Sequence, residues 1–184
     1  ISTMFLTRNG HLYGTRLMSY DNLGVTRAKG SSANRKHDIM QWVRIPIPKN
    51  IYKVVTIACG QCHSLVLVKN ISTDTLQLFA CGMNSDGQLG NKKIDEKKDA
   101  MPSYIVSEDD QDQELLEAAK DYSLRLYHVA ELTANQVKLS EKIFACGHMA
   151  CVLDASSQNF YWFGNGAPSR TVFPPHWYDD AQAK

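Results

Sequence analysis

The triplet Ala-Cys-Gly closes a strand-like apolar run three times in this chain, at Ala58-Cys59-Gly60, Ala80-Cys81-Gly82 and Ala145-Cys146-Gly147. The residues after the triplet recur as well, because Gly60-Gln61-Cys62-His63-Ser64-Leu65-Val66-Leu67 aligns with Gly147-His148-Met149-Ala150-Cys151-Val152-Leu153 as a glycine turn leading into a second apolar strand. Each unit reads as strand, turn, strand. A unit of that size cannot bury its own apolar face, so the copies must stack to make a core.

The chain has 184 residues, 43% of them hydrophobic, which suits a folded domain with a real core. Its formal net charge of +1 supplies no bulk drive toward nucleic acid or an anionic membrane. The longest apolar stretches, such as Leu65-Val66-Leu67-Val68, have strand length and fall far short of a membrane span. Five cysteines is an odd count, and three of them fall in the repeated triplet. That usage points to buried free thiols in a reducing, intracellular compartment, cytoplasm or nucleus, rather than to a disulfide framework. The chain starts at Ile1 in an apolar run with no basic leader, so a longer parent is expected, and a removed organelle-targeting segment is compatible with that start.

Three hairpins are expected. The first pairs Met4-Phe5-Leu6-Thr7 with His11-Leu12-Tyr13-Gly14 around Asn9-Gly10, a strong hairpin signal. The second joins Ser64 to Val68 with Leu76 to Gly82, and the third joins Cys151 to Leu153 with Phe160 to Gly164. Further strand-like segments lie at Trp42 to Pro46, Tyr52 to Ile57, Tyr127 to Leu132 and Val137 to Phe144, the prolines confining the first of these to a sheet edge. Gly87 and Gly90 fit a turn that needs positive φ. Four short antiparallel strands per unit is the anatomy of a propeller blade.

Two insertions interrupt the pattern. Thr26 to His37 is basic, with Arg27, Lys29, Arg35 and Lys36 and no acidic residue. Ser107 to Glu114 is acidic, with Glu108, Asp109, Asp110 and Asp112, and it leads into a helical spacing of Leu115, Ala118, Ala119 and Tyr122. The expected organisation is one all-β unit of about three blades: 1–50 an incomplete blade plus the basic loop, 51–106 a complete blade, 107–125 the acidic, helical insertion, and 126–184 a divergent blade with a tail. The two charged insertions are the candidate partner-binding surfaces, since loops carry recognition more often than strands do.

Cys59 and Cys62 have the spacing of half a zinc site, and Cys146 with Cys151 would be the other half. Cysteines that recur in the repeat are better explained as small packing residues, so no metal and no cofactor is expected. Phe160-Tyr161-Trp162-Phe163 reads as a strand with two apolar faces rather than a binding platform. No nucleotide-binding loop, nucleophile elbow or kinase signature occurs, and an enzyme's chemistry is not expected.

Ile57-Ala58-Cys59-Gly60-Gln61-Cys62-His63-Ser64-Leu65, followed by Leu78-Phe79-Ala80-Cys81-Gly82-Met83-Asn84-Ser85-Asp86-Gly87-Gln88-Leu89-Gly90, closely resembles the repeat of the regulator of chromosome condensation family. The resemblance implies a seven-bladed β-propeller, in which this chain is a partial set that other blades, from the parent chain or another subunit, must complete. It makes Cys59, Gly60, His63, Cys81, Gly82, Gly87, Gly90, Cys146, Gly147 and Gly164 structural repeat positions. Ala150 stands where His63 would be expected, and Gly164 does not lead into a Gly-Gln-Leu-Gly turn. The implied function is a non-enzymatic protein-interaction scaffold. The alternatives are guanine nucleotide exchange on a small Ran-like GTPase, the founding member's activity, and a regulatory propeller of a ubiquitin ligase or kinase.

Overall fold

A computed structural model describes residues 2–16, 22–27, 42–91, 93–106, 110–164 and 167–173. In chain order its elements are β1 (Ser2–Leu6), β2 (Leu12–Arg16), β3 (Val25–Arg27), β4 (Val43–Arg44), β5 (Tyr52–Cys59), β6 (His63–Asn70), β7 (Leu76–Gly82), α1 (Gln113–Asp121), β8 (Tyr122–Leu124), β9 (Tyr127–His128), α2 (Ala130–Ala134), β10 (Leu139–Cys146), β11 (Met149–Asp154), β12 (Phe160–Gly164) and β13 (Ala167–Phe173). Every pairing between them is antiparallel. The first sheet has the order β1-β2-β4, the middle sheet β5-β6-β7-β9 and the third β10-β11-β12-β13, while β3 and β8 form a separate ribbon.

Strand pairing makes the three sheets copies of one unit. Phe5 pairs with Tyr13 and Tyr13 with Arg44, as Val66 pairs with Phe79 and Phe79 with His128. The short fourth strands are fixed alike, by Ile45 N donating to Leu12 O and Val129 N donating to Leu78 O, each at 2.9 Å. In the third sheet Met149 pairs with Gly164 as His63 pairs with Gly82. Both glycines have φ of +104°, and a Cβ would collide with the carbonyl of Cys62 in one case and of His148 in the other. β1, β2 and β4 therefore correspond to β6, β7 and β9, and the first sheet has no counterpart of β5 or β10 among the described residues.

The middle sheet is buried on both faces, which is why its strands read as continuous apolar runs. Val54, Val66, Val68, Phe79 and Cys81 face the first sheet, against Met4, Leu12 and Ile45. Leu65, Leu67, Leu78 and Ala80 face the third sheet, against Ile143, Ala150 and Val152. Strand alternation sends neighbouring residues into the two cores.

Both charged insertions occupy the same place in the repeat, between the turn that follows the third strand and the short fourth strand. The acidic one contains α1, capped by the Asp112 carboxylate, which accepts from Leu115 N at 3.1 Å, and Leu115 and Ala118 are buried. From α1 the chain runs back along β3, where Arg125 N donates to Gly24 O and buried Leu126 packs where Gly24 leaves no Cβ.

Three expectations change. Tyr127 to Leu132 is not one strand: Tyr127 and His128 complete the middle sheet, so its last strand lies beyond the boundary drawn at residue 126, and Ala130 to Ala134 turn into a second helix. The residue in the place of His63 is Met149 rather than Ala150. The β10–β11 hairpin turns on Gly147-His148, flanked by the Cys146 and Met149 pair, whereas the β5–β6 hairpin turns on Gln61-Cys62, so the matching triplets sit one residue out of step. Cys59, Cys81 and Cys146 are accordingly not equivalent: Cys59 and Cys81 lie on different strands and both belong to the core beside the first sheet, while Cys146 is exposed.

Candidate functional site

The charged insertion is the first candidate. Arg44 on β4 is 6% exposed, and such a cation needs partners. Its guanidinium donates to both Asp112 oxygens, at 3.2 and 2.9 Å, and to Glu114 Oε2 at 3.3 Å. Tyr13 Oη donates to the same Glu114 oxygen at 2.5 Å, and Arg44 lies over the Tyr13 ring. Lys49 pairs with Asp110 at 2.7 Å. Partial burial raises the Tyr13 pKa, and the hydrogen bond to Glu114 adds to the shift. Burial alone would raise the Asp112 carboxyl; the Leu115 amide and Arg44 outweigh it and hold its pKa below the usual value. The lysine hydrogen bond lowers that of Asp110.

Two of the four acidic candidates, Asp110 and Asp112, are thus occupied in fastening the insertion to the first sheet and the segment after it. Glu108 and Asp109 lie outside the described residues, as do Lys29, Arg35 and Lys36; Arg27 ends β3, paired with Tyr122. Sequence reasoning missed Arg44, whose only signal was a charge inside an apolar edge strand. Next to the insertion, Ile105 is 76% exposed and Val106 49%.

A second cluster gathers at the turns between the middle and third sheets. Gln61 N donates to Gly147 O at 2.8 Å, and Met83 N donates to Cys62 O at 2.8 Å. Asp86, from the turn holding Gly87 and Gly90, meets His148 Nδ1 at 2.6 Å. His63 is fully buried under Gly60, where any Cβ would strike its ring. Burial, with a smaller repulsion from His148, lowers the His63 pKa to about 4, so the ring is neutral. Asn84 and Gln88 brace the neighbouring turn through Leu89 N to Asn84 Oδ1 and Asp86 N to Gln88 Oε1. The Gln61–Gly147 and Asp86–His148 contacts join the middle unit to the third, and the others brace the middle unit's own turns.

The third region is the outer face of the third sheet. Phe144, Cys146, Met149, Phe160 and Trp162 line a shallow apolar groove of about 370 Å³ there, floored by Cys151. Burial pushes the Cys151 thiol up to about 11. Among the described residues no three His, Cys, Asp or Glu side chains converge as metal ligands, and no helix is long and apolar enough to cross a membrane.

No family model matches the sequence. A mouse (Mus musculus) protein named RCC1-like G exchanging factor-like protein is 29% identical over 89 residues, covering 47% of this chain. The chain spans 18% of that relative's length. The likeness agrees with the repeat resemblance and with the stacked antiparallel sheets.

Proposed function

We propose that this chain is part of a propeller of the regulator of chromosome condensation type, serving as a protein-interaction scaffold in a longer polypeptide or complex. The observation that carries the proposal is the clamped insertion. Buried Arg44 fastens an acidic segment to the stacked sheets, and beside it Ile105 and Val106 stand in solvent, an apolar patch with charged neighbours of the kind that partners cover. The basic insertion, through Arg27, Lys29, Arg35 and Lys36, and Glu108 and Asp109 of the acidic one supply the charge selectivity. Affinity capture with the full-length protein tests this. A partner retained by the native protein and lost on reversing Arg27, Lys29, Arg35 and Lys36 together, or on Ile105→Asp, supports it; no stable partner, or capture indifferent to both variants, contradicts it.

The name of the mouse relative favours a second reading, nucleotide exchange on a small GTPase. Exchange requires no covalent chemistry, only charges and a wedge that stabilise the nucleotide-free partner. Release of a fluorescent guanine nucleotide from a panel of small GTPases decides between the two: acceleration favours exchange, and unchanged release favours the scaffold.

A further inference from the structure

The junction between the first and middle sheets carries a groove of about 330 Å³, and residues of this chain alone form it. We propose that the groove docks a short helical turn of a partner protein, an apolar anchor beside an acidic residue, which rests on the scaffold reading and gives the scaffold a second contact surface. Leu12, Ile45 and Leu115 line it, each 1% exposed. Ile71 of the β6–β7 turn lines it too, yet is 53% exposed. Its amide donates to Ile51 O at 2.9 Å, which holds the turn against the start of β5. An exposed apolar side chain beside an apolar groove is surface that a partner covers better than water does.

The neighbouring junction shows what fits such a place. Ile45 and Val129 are equivalent, each following the short fourth strand of its unit. After Val129 the chain winds into α2, and Leu132 of that helix is buried with Val129 and Leu78 in the core between the middle and third sheets. After Ile45 comes Pro46-Ile47-Pro48, where each proline lacks an N–H and disfavours helical backbone in the residue before it. Residues 45–51 therefore reach β5 without a helix. One junction is closed by a helical turn with a buried leucine, and the other has the groove. A partner's turn with an apolar anchor supplies from outside what α2 supplies within the chain.

Charge selects which turn binds. The charged residues that line the groove are all cationic, Arg44, Lys49 and Lys53. Arg44 is held by Asp112 and Glu114, and Lys49 by Asp110. Lys53 is left over: in register it lies opposite Lys69, and it is Lys69 that pairs with Asp74, at 2.7 Å. Like charges facing each other across two strands repel, and a carboxylate on the ligand relieves that repulsion.

Selection of a random peptide phage library on the full-length protein tests this, with the recovered peptides synthesised and measured by fluorescence anisotropy. They are expected to carry an aliphatic or aromatic residue within one helical turn of Asp or Glu. Ile71→Asp is expected to weaken them at least about tenfold. Lys53→Glu is expected to weaken them about threefold, and exchanging the peptide's acidic residue for lysine to recover that loss. Both positions are exposed, so neither variant threatens the fold. No recovered peptide, peptides without an acidic residue, or affinity indifferent to both variants overturns the inference. Peptides lost on Ile105→Asp instead bind beside the insertion, which overturns this inference and leaves the scaffold proposal standing. Acidic peptides bound through Ile71 by a protein that captures no partner remove the scaffold proposal and keep the groove.

Discussion

The middle and third sheets share one strand plan and differ in what surrounds them. β6 carries Leu65, Val66, Leu67 and Val68 with no exposed surface, because a sheet lies against each face. In β10 Ile143 is buried while its neighbours Phe144 and Cys146 are exposed. The same alternation serves two cores in one sheet and one core in the other. Burial in a stacked repeat is a property of the junction, not of the strand.

Substitutions at matched positions sharpen that contrast. The largest effect is expected from Leu65→Ala, which empties a fully enclosed site and should cost about 4 kcal/mol in urea unfolding. Next comes acid. A histidine whose folded pKa is depressed resists protonation in the native state and accepts it on unfolding, so its contribution is present above pH 6.5 and drains away as pH falls toward about 4. The loss should be on the order of 3 kcal/mol, and His63→Met, the residue the third sheet uses in that place, should flatten the slope. Arg44→Met is expected to cost about 2 kcal/mol, less than a fully enclosed ion pair because Asp112 keeps its helix amide and some water. The smallest change belongs to Phe144→Ala, below about 1 kcal/mol in residues 1–184, since half of that ring is already in water. A Phe144→Ala cost equal to that of Leu65→Ala would break the comparison.

The hairpins and their turns were legible because Asn9-Gly10, the triplets and the apolar runs are local signals. The face each residue adopts was not, since it depends on register. Cys59 and Cys81 lie on different strands yet line one core, because both pair with Ser64. A shift of one residue at the β10–β11 turn sends Cys146 to the opposite side. The two-residue fourth strands were equally hidden. Tyr127 to Leu132 has too few residues for periodicity to separate strand from helix, and a single bond, Val129 N to Leu78 O, fixes where pairing ends before α2 begins. At the candidate site the charge runs were visible, but Arg44, separated by 68 residues from Asp112, could be found only once the insertion folded back on β4.

Hydrogen exchange of residues 1–184, resolved by peptide, tests most directly whether neighbouring sheets set the stability of each unit. Amides of β5, β6 and β7 are expected to exchange at least tenfold more slowly than those of β10, β11 and β12. Equal protection in the two sheets, or slower exchange in the third, would contradict the account.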